Sequence, residues 1–303
     1  MVDTVLPHPR TAALFASPVP PGTGWPGDEA DARTPVARTP DDVARLATGA
    51  TRLPDLDRDS TVCRACPRLV AWREDVAVTK RRAFREQPYW GRPIAGFGDA
   101  AAGLLIIGLA PAAHGGNRTG RLFTGDRSGD WLFAALHRAG VASRRTSVDA
   151  ADGLALRGVR MAAAVRCAPP DNAPLPPERD TCQPWLRREV ELTAPTVRVV
   201  MALGAFGWGA ALSVARSLAW NVPRPAPRFG HGAETALVRP DGVVVVLVGC
   251  YHVSQQNTQT GRLTEVMLDA VLARSLTLAA PRVPDPSPPP QVRDPGPPPA
   301  PGP

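Results

Sequence analysis

Four short apolar runs alternate with amphipathic segments in the middle of the chain. The apolar runs, rich in Val, Ile and Leu, occupy residues 104–109, 159–165, 197–203 and 243–248. Helical patterns occupy residues 130–139, 177–192, 205–218 and 263–276. Strands that are apolar throughout are typical of a parallel sheet covered on both faces, and right-handed crossovers place helices on both sides. The alternation therefore predicts an α/β fold, a three-layer α/β/α sandwich with a central four-stranded parallel sheet.

Proline-rich stretches mark both ends of the chain, which has 36 prolines in 303 residues. Residues 281–303 show no apolar periodicity and could not bury enough surface to offset the entropy of ordering, so we expect a disordered tail. Residues 1–54 have a similar composition and predict a second disordered arm, with at most a short helix near residues 41–47. The folded part is then a single domain over residues 55–280.

The charge balance adds a hint about the partner. The net charge is +7, and nearly all basic residues are Arg, with Lys80 the only lysine. A basic protein favours a polyanionic partner such as nucleic acid, although an Arg-rich composition alone says little. No apolar run approaches the ~18 residues of a membrane span, and no signal-peptide pattern opens the chain. These features favour a cytoplasmic protein without a membrane partner.

Two loops follow predicted strands and carry candidate chemistry. GLAPAAHGGNRTGRLFTGD follows the first apolar run, and YHVSQQNTQTGRLT follows the fourth. Ligands of open α/β sheets bind at the carboxyl ends of the strands, so we expect the first loop to be an active-site floor rather than a surface turn. His252 directly follows the fourth strand, where its imidazole could donate a hydrogen bond. Ser254 and Asn257 offer short polar groups to phosphate just before a helix.

Two further polar features flank these loops. Asp99, in GFGD, is a carboxylate predicted near the crevice floor, and its alternative role is to cap a turn. A basic segment over residues 72–89 is either a solvated helix face or a phosphate track. Its basic residues are Arg73, Lys80, Arg81, Arg82 and Arg85.

The five cysteines divide into four candidate ligands and one odd thiol. Cys63 and Cys66 form a C-x-x-C turn, Cys167 ends the second strand, and Cys182 lies early in the next helix. If a loop brings the four sulfurs together, the spacing fits a [4Fe–4S] cluster and a structural zinc equally well. Disulfides are disfavoured in a reducing cytoplasm. We interpret Cys250, at the end of the fourth strand, as a buried thiol.

Four separated motifs match a known family. The two loops, the strand end AAVRCAPPDN and the four cysteines together resemble the family 5 uracil-DNA glycosylases, the iron–sulfur enzymes often called type B. The resemblance covers roughly residues 60–278 and neither Pro-rich end. It implies a DNA repair enzyme that hydrolyses the N-glycosidic bond of a deaminated base flipped out of DNA. We expect a monomeric and monofunctional enzyme, because the crevice motifs contain no lysine to form a Schiff base.

The resemblance also implies which residues form the site. A [4Fe–4S] cluster would be bound by Cys63, Cys66, Cys167 and Cys182. The substrate pocket would comprise Gly108, Leu109, Ala110, Pro111, Ala112, Phe123, Ala163, Ser254 and Asn257, with the base stacked on the phenyl ring. His252 would donate to a carbonyl oxygen of the departing base, and Asp99 would hold the attacking water and stabilise the cationic sugar.

Two departures from the related family 4 enzymes bear on substrate range. Leu109 stands where those enzymes carry an acidic residue, and Ala163 stands where they place an Asn that reads the polar edge of uracil. A small apolar side chain cannot enforce that match, so we expect hypoxanthine and xanthine as further substrates.

Two alternatives remain open at this level. The chain could be a non-catalytic nucleic-acid-binding module with a structural metal site made of four cysteines, in which Asp99 and His252 only support the fold. It could also be the enzyme with zinc in place of the cluster. The sequence leaves the role of His231 unassigned.

Overall fold

A computed structural model describes residues 5–280 of the chain. The predicted disordered tail at 281–303 lies outside the described residues. A small antiparallel pair, β1 (Leu6–Pro7) and β2 (Leu14–Phe15), opens the described part. The main sheet and its helices follow.

The main sheet has six strands, which in chain order are β3 (Phe97–Gly98), β4 (Leu104–Gly108), β5 (Val159–Ala163), β6 (Val199–Leu203), β7 (Glu234–Val238) and β8 (Val244–Cys250). Their spatial order is β3-β5-β4-β6-β8-β7. The four strands predicted from apolar runs are β4, β5, β6 and β8, which pair in parallel. The predicted four-stranded parallel sheet is therefore corrected to a mixed six-stranded sheet, because β3 and β7 add antiparallel edges.

Both edge strands escape a pattern search for physical reasons. β3 has only two residues, too few to show any period. β7 reads ETALV and is only partly buried, so it lacks the continuous apolar run of a central strand.

Nine helices lie within the described residues, and their bounds are α1 (Pro40–Gly49), α2 (Leu53–Ser60), α3 (Pro67–Thr79), α4 (Gly116–Thr119), α5 (Arg127–Arg138), α6 (Pro176–Thr193), α7 (Gly204–Ser217), α8 (Gln255–Gln259) and α9 (Glu265–Ala279). The side chains of β4 alternate between two hydrophobic cores. Leu104 and Ile106 pack in one core with residues of α5 and α9. Leu105 and Ile107 pack in the other with residues of α6 and α7. The sheet is thus covered on both faces, as the three-layer prediction requires.

The prediction of a disordered arm over residues 1–54 is wrong for residues 5–54, and residues 1–4 lie outside the described part of the chain. Residues 5–54 pack against the rest of the fold, and Phe15, Val19 and Trp25 are at most 4% exposed. The Trp25 ring lies 5.9 Å from the Trp90 ring. The Pro-rich composition predicted disorder because single aromatic residues show no helical or strand periodicity in the sequence. Each of them can nevertheless pack on a surface that the rest of the domain forms.

Polar contacts reinforce this docking. Asp28 and Arg92 form an ion pair with an N–O separation of 2.7 Å, and both side chains are nearly inaccessible to solvent. The Ser17 hydroxyl accepts a hydrogen bond from the backbone N–H of Tyr89. The segment is therefore part of the fold that supports the sheet.

Among the helices of residues 5–280, we find no segment whose length and apolar character would let it cross a membrane.

Replacing Trp25 tests the docking of the amino-terminal segment. Trp25→Ala is expected to lower the free energy of unfolding by about 3–5 kcal/mol, because a buried indole leaves a large cavity. Leu14→Ala, at a position that is 64% exposed in the same segment, is the matched control and is expected to change it by less than about 0.5 kcal/mol. Urea unfolding monitored by circular dichroism measures both, and equal values for the two variants would contradict the docking.

Candidate active site

The carboxyl ends of the parallel strands open onto a cleft of about 580 Å³. Two segments frame it: the first loop, residues 108–126, which begins at the last residue of β4, and the second loop, residues 251–264 after β8. Strand register explains why they meet, since Gly108 pairs with Ala163 and Leu203 pairs with Cys250 at the same end of the sheet. Of the predicted pocket residues, those that line the cleft are Gly108, Leu109, Ala110, Pro111, Ala112, Phe123, Ala163 and Ser254.

Phe123 forms one wall of the cleft. Its ring lies over Gly108, so closely that a Cβ at position 108 would come within 2.7 Å of the ring. Phe123 itself has φ of +50°, a left-handed conformation that costs free energy for a bulky residue. The first loop therefore holds an aromatic face in a strained backbone position, which is typical of functional sites.

His252 lines the same cleft. Burial lowers the pKa of its imidazole below the ordinary value, so the ring is neutral at neutral pH. Its main chain is fixed by Asn257, whose side-chain amide donates a 2.8 Å hydrogen bond to the His252 carbonyl oxygen. Asn257 does not line the cleft, so this geometry favours a supporting role over the predicted substrate contact.

Asp126 is a carboxylate of the cleft wall. It is the N-cap of α5, and its Oδ1 accepts a 2.9 Å hydrogen bond from the backbone N–H of Gly129. A side chain at position 115 would collide with its other oxygen, so glycine at that position leaves room for the carboxylate. Burial raises the pKa of Asp126 above the ordinary value, although the hydrogen bond from Gly129 opposes the shift.

Asp99 lies away from the cleft, which corrects the prediction that it stands near the crevice floor. β3 runs antiparallel to β5, so the chain reaches Asp99 beside Val159, at the amino ends of the parallel strands. The rise per residue of a strand puts the two ends of β4 about 13 Å apart. The Asp99 carboxylate accepts hydrogen bonds from the backbone N–H groups of Gly158 and Ala101, which lower its pKa. These contacts match the alternative role, a turn cap.

Sequence reasoning missed several polar residues of the cleft, among them Asp126 and Asn172. Both stand in motifs that carry the family resemblance, FTGD and APPDN, but neither residue was given a role of its own. Asp171 and Asn172 have consecutive positive φ values of 53° and 54°, a conformation that Asp and Asn tolerate better than most residues. Asp126 could have been found from its position, because it ends the loop that follows a strand and stands where an Asp caps the next helix.

The four candidate ligand cysteines line one common pocket, the cysteine pocket. They come from the turn before α3, the segment after β5 and the helix α6. Cys250 is buried elsewhere, in the core beside the second loop, as expected for a plain thiol. Among the described residues, no three His, Cys, Asp or Glu side chains are arranged so that they could hold a metal ion. Any case for a metal group therefore rests on the shared pocket and on what surrounds the sulfurs.

Hydrogen-bond donors point at those sulfurs. Arg73 Nη1 lies 2.8 Å from Cys167 Sγ, and the backbone N–H of Arg166 lies 3.3 Å from Cys182 Sγ. Arg73 also donates to the Cys63 carbonyl oxygen. N–H groups directed at sulfur are the surroundings that thiolate-bound metal clusters use to tune their charge.

Arg73 also connects the cysteine pocket to the first loop. Its carbonyl oxygen accepts a 3.1 Å hydrogen bond from the side-chain amide of Asn117, which is fully buried in α4. Arg73 is 1% exposed and cannot serve the phosphate track considered for the basic segment. Arg121 is likewise buried, where it pairs with Asp152 and fixes the shape of the first loop.

Comparison with known proteins agrees with this architecture. Residues 95–274 match the family model of the Uracil DNA glycosylase superfamily. A Mycobacterium bovis protein named Type-5 uracil-DNA glycosylase is 56% identical over 90% of this chain and 98% of its own length. Proteins of the same name from Thermus thermophilus and Pyrobaculum aerophilum are 51% and 41% identical over 72% and 77% of this chain, and over 94% and 96% of their own lengths.

Proposed function

From the premise that this chain belongs to the uracil-DNA glycosylase superfamily, we propose that it is a base excision repair enzyme that hydrolyses the N-glycosidic bond of uracil in DNA. One observation carries the mechanism: Phe123, Asp126, Asn172 and His252 line a single cleft at the carboxyl ends of the sheet. The alternative of a non-catalytic binding module does not account for relatives at 56% identity that are named as glycosylases.

The cleft receives a nucleotide that has left the base stack. The scissile bond is out of reach inside a duplex, so the enzyme must extrude the nucleotide and offset the lost stacking. The Phe123 ring supplies a replacement face, and stacking of a base on an aromatic ring contributes about 1–3 kcal/mol. The first loop holds this ring against Gly108, so binding of the base requires little reorganisation of the loop.

His252 acts where negative charge develops. As the glycosidic bond stretches, electrons move onto the base and its carbonyl oxygen becomes more negative. Because burial lowers the pKa of His252, the ring donates as a neutral N–H and keeps its proton. A fixed dipole aimed at the developing charge stabilises the transition state without a reorganisation cost.

Asp126 acts on the sugar side and replaces Asp99 in the mechanism. The sugar becomes an oxocarbenium ion, which a nearby carboxylate stabilises and a water molecule then attacks. Asp126 can accept a proton from that water, and the Asn172 amide, which lines the same cleft, can orient it. The sole lysine, Lys80, does not line the cleft, which supports hydrolysis without a Schiff base.

We propose that the cysteine pocket holds a [4Fe–4S] cluster bound by Cys63, Cys66, Cys167 and Cys182, whose sulfurs would each bind a different iron and so need not converge on a single ion. The fit rests on the donors from Arg73 and Arg166, which would offset the negative charge of four thiolates. When bound, such a cluster would cross-link three distant parts of the chain, and with all four ligands filled by cysteine its contribution is structural. We also propose that the enzyme works as a monomer in the cytoplasm, where cysteines stay reduced.

A pair of carboxylate substitutions tests the role of Asp126. Asp126→Asn is expected to lower the single-turnover rate of uracil excision about 10²–10⁴-fold, because the general base and the cation-stabilising charge are lost. Asp99→Asn is the matched control and is expected to keep a rate near that of the wild type. Release of uracil from an oligonucleotide, followed by alkaline cleavage, measures both. The reverse order of effects would return the catalytic role to Asp99.

The substrate range is tested at Ala163. The wild-type protein is expected to excise hypoxanthine and xanthine as well as uracil, since Ala163 offers no polar group to read the base edge. Ala163→Asn is expected to lower hypoxanthine excision relative to uracil by about tenfold or more, because one buried hydrogen bond can separate substrates by that factor. Base-release profiling on oligonucleotides with each lesion gives the ratio. A wild type that leaves both purines intact would refute the broad range.

The cysteine pocket is tested through Arg73. Arg73→Gln is expected to lower the affinity of the protein for the cluster about 10–100-fold, because hydrogen-bond partners of metal ligands typically contribute that factor to metal affinity. Arg68→Gln, on the same helix but paired with Glu178, is the control for lost charge. Iron content per chain and the decay of absorbance near 400 nm in air are the readouts. Identical iron content and decay in both variants would remove Arg73 from this role.

A further inference from the structure

A second cavity, the flanking groove, leads away from the cleft towards the end of α3. Its volume is about 320 Å³, and its residues include Asp126, Asn172 and Gln255, which also line the cleft. Arg81 and Phe84 lie on its other side. The two cavities are therefore continuous, so a molecule that fills the cleft has its covalent neighbours in or near the flanking groove.

Two arginines line this groove, Arg81 and Arg127, and Arg81 belongs to the basic turn, residues 80–87. α3 ends at Thr79 and Lys80 has φ of +55°, so Arg81 lies beyond that helix, and Arg82 begins a short 3₁₀ turn, Arg82–Phe84. Arg81 and Arg82 are exposed and form no ion pair within residues 5–280. Both border a further open depression beside the groove. Asp126 and Asp171, the carboxylates that line the groove, also line the cleft.

The basic turn is held at a fixed position relative to the cleft. Arg118 of the first loop places its guanidinium 4.0 Å from the centre of the Phe84 ring. The same guanidinium donates a 2.8 Å hydrogen bond to Gln87 Oε1, at the end of the turn. Because Arg118 of the first loop contacts the basic turn at two side chains, the turn is already ordered, and ligand binding to it orders little additional structure.

We propose that the flanking groove binds the nucleotides next to the flipped one on the damaged strand, with Arg81 and Arg82 neutralising their phosphates. This inference rests on the proposed glycosylase function and adds a subsite to it. Charge complementarity and continuity with the cleft favour a phosphodiester strand over an apolar ligand. The exposed Arg81 and Arg82 fix the strand's position but carry no sequence information, as a repair enzyme that meets any sequence requires.

The test compares two double variants that remove equal charge. Arg81→Ala with Arg82→Ala removes the proposed phosphate contacts. Arg157→Ala with Arg216→Ala is the control, because both residues are exposed and lie at the opposite end of the sheet, before β5 and at the end of α7. The probes are single-stranded oligonucleotides with one uracil, extended on the 5′ side, on the 3′ side or on neither side.

The Arg81 and Arg82 variant is expected to lose on the order of tenfold in kcat/KM on a probe with an extended side. Its slope of log Kd against log salt concentration is expected to fall by about 1.4, since each single-strand phosphate contact contributes about 0.7. Excision of uracil from the unextended probe and the Tm are expected to match the wild type. The control variant is expected to keep the wild-type salt slope and the wild-type increase in kcat/KM when the probe is extended.

The inference would be overturned if the Arg81 and Arg82 variant had the same salt slope as the control and the same increase in kcat/KM on extended probes. Binding is measured by fluorescence anisotropy independently of excision, so the two proposals can fail separately. A wild type that binds the probes but releases no uracil would refute the glycosylase function, while the difference in salt slope would still decide whether Arg81 and Arg82 contact the strand.

Discussion

In-register parallel pairing of four buried strands is the constraint on which the site depends. Because β4, β5, β6 and β8 run in the same direction, the segments that follow them emerge at one edge of the sheet. Gly108 and Ala163 pair directly, which places the first loop beside the end of β5. A register shift of one residue would turn the buried side chains of a strand to the other face and separate Phe123 from His252. The chemistry thus follows from the hydrophobic core.

A second constraint is the buried polar framework beneath the first loop. Arg73 contacts Cys167 Sγ and, through its carbonyl oxygen, the amide of Asn117, so the cysteine pocket and the active-site loop share one residue. Arg118 extends the same framework outwards to the basic turn. Two buried atoms of this framework, Arg73 Nε and Asn117 Oδ1, have no hydrogen-bond partner within residues 5–280, and an incompletely paired buried network is sensitive to the loss of one more contact. Any group bound by the cysteines would therefore stabilise the loop that holds Phe123.

The sequence predicts the fold well where hydrophobic periodicity is strong and poorly where it is absent. The four apolar runs correspond to the four central strands, and the helical patterns correspond to α5, α6, α7 and α9. The two edge strands and the docked amino-terminal segment carry no period. The site shows the same division. His252 comes two residues after the parallel strand β8 and can be placed from the sequence. Asp99 could not be placed, because the direction of the short strand β3 decides which end of the sheet it reaches.

The central claim is that a deaminated base, flipped out of DNA, enters the cleft between Phe123 and His252. The most direct measurement is a crystal structure of the protein bound to DNA that carries 2′-fluoro-2′-deoxyuridine, whose glycosidic bond resists cleavage. We predict that the uracil ring stacks on Phe123, with a carbonyl oxygen within hydrogen-bond distance of the His252 imidazole and the sugar facing Asp126. A uracil that stays within the base stack, or that binds outside this cleft, would contradict the account.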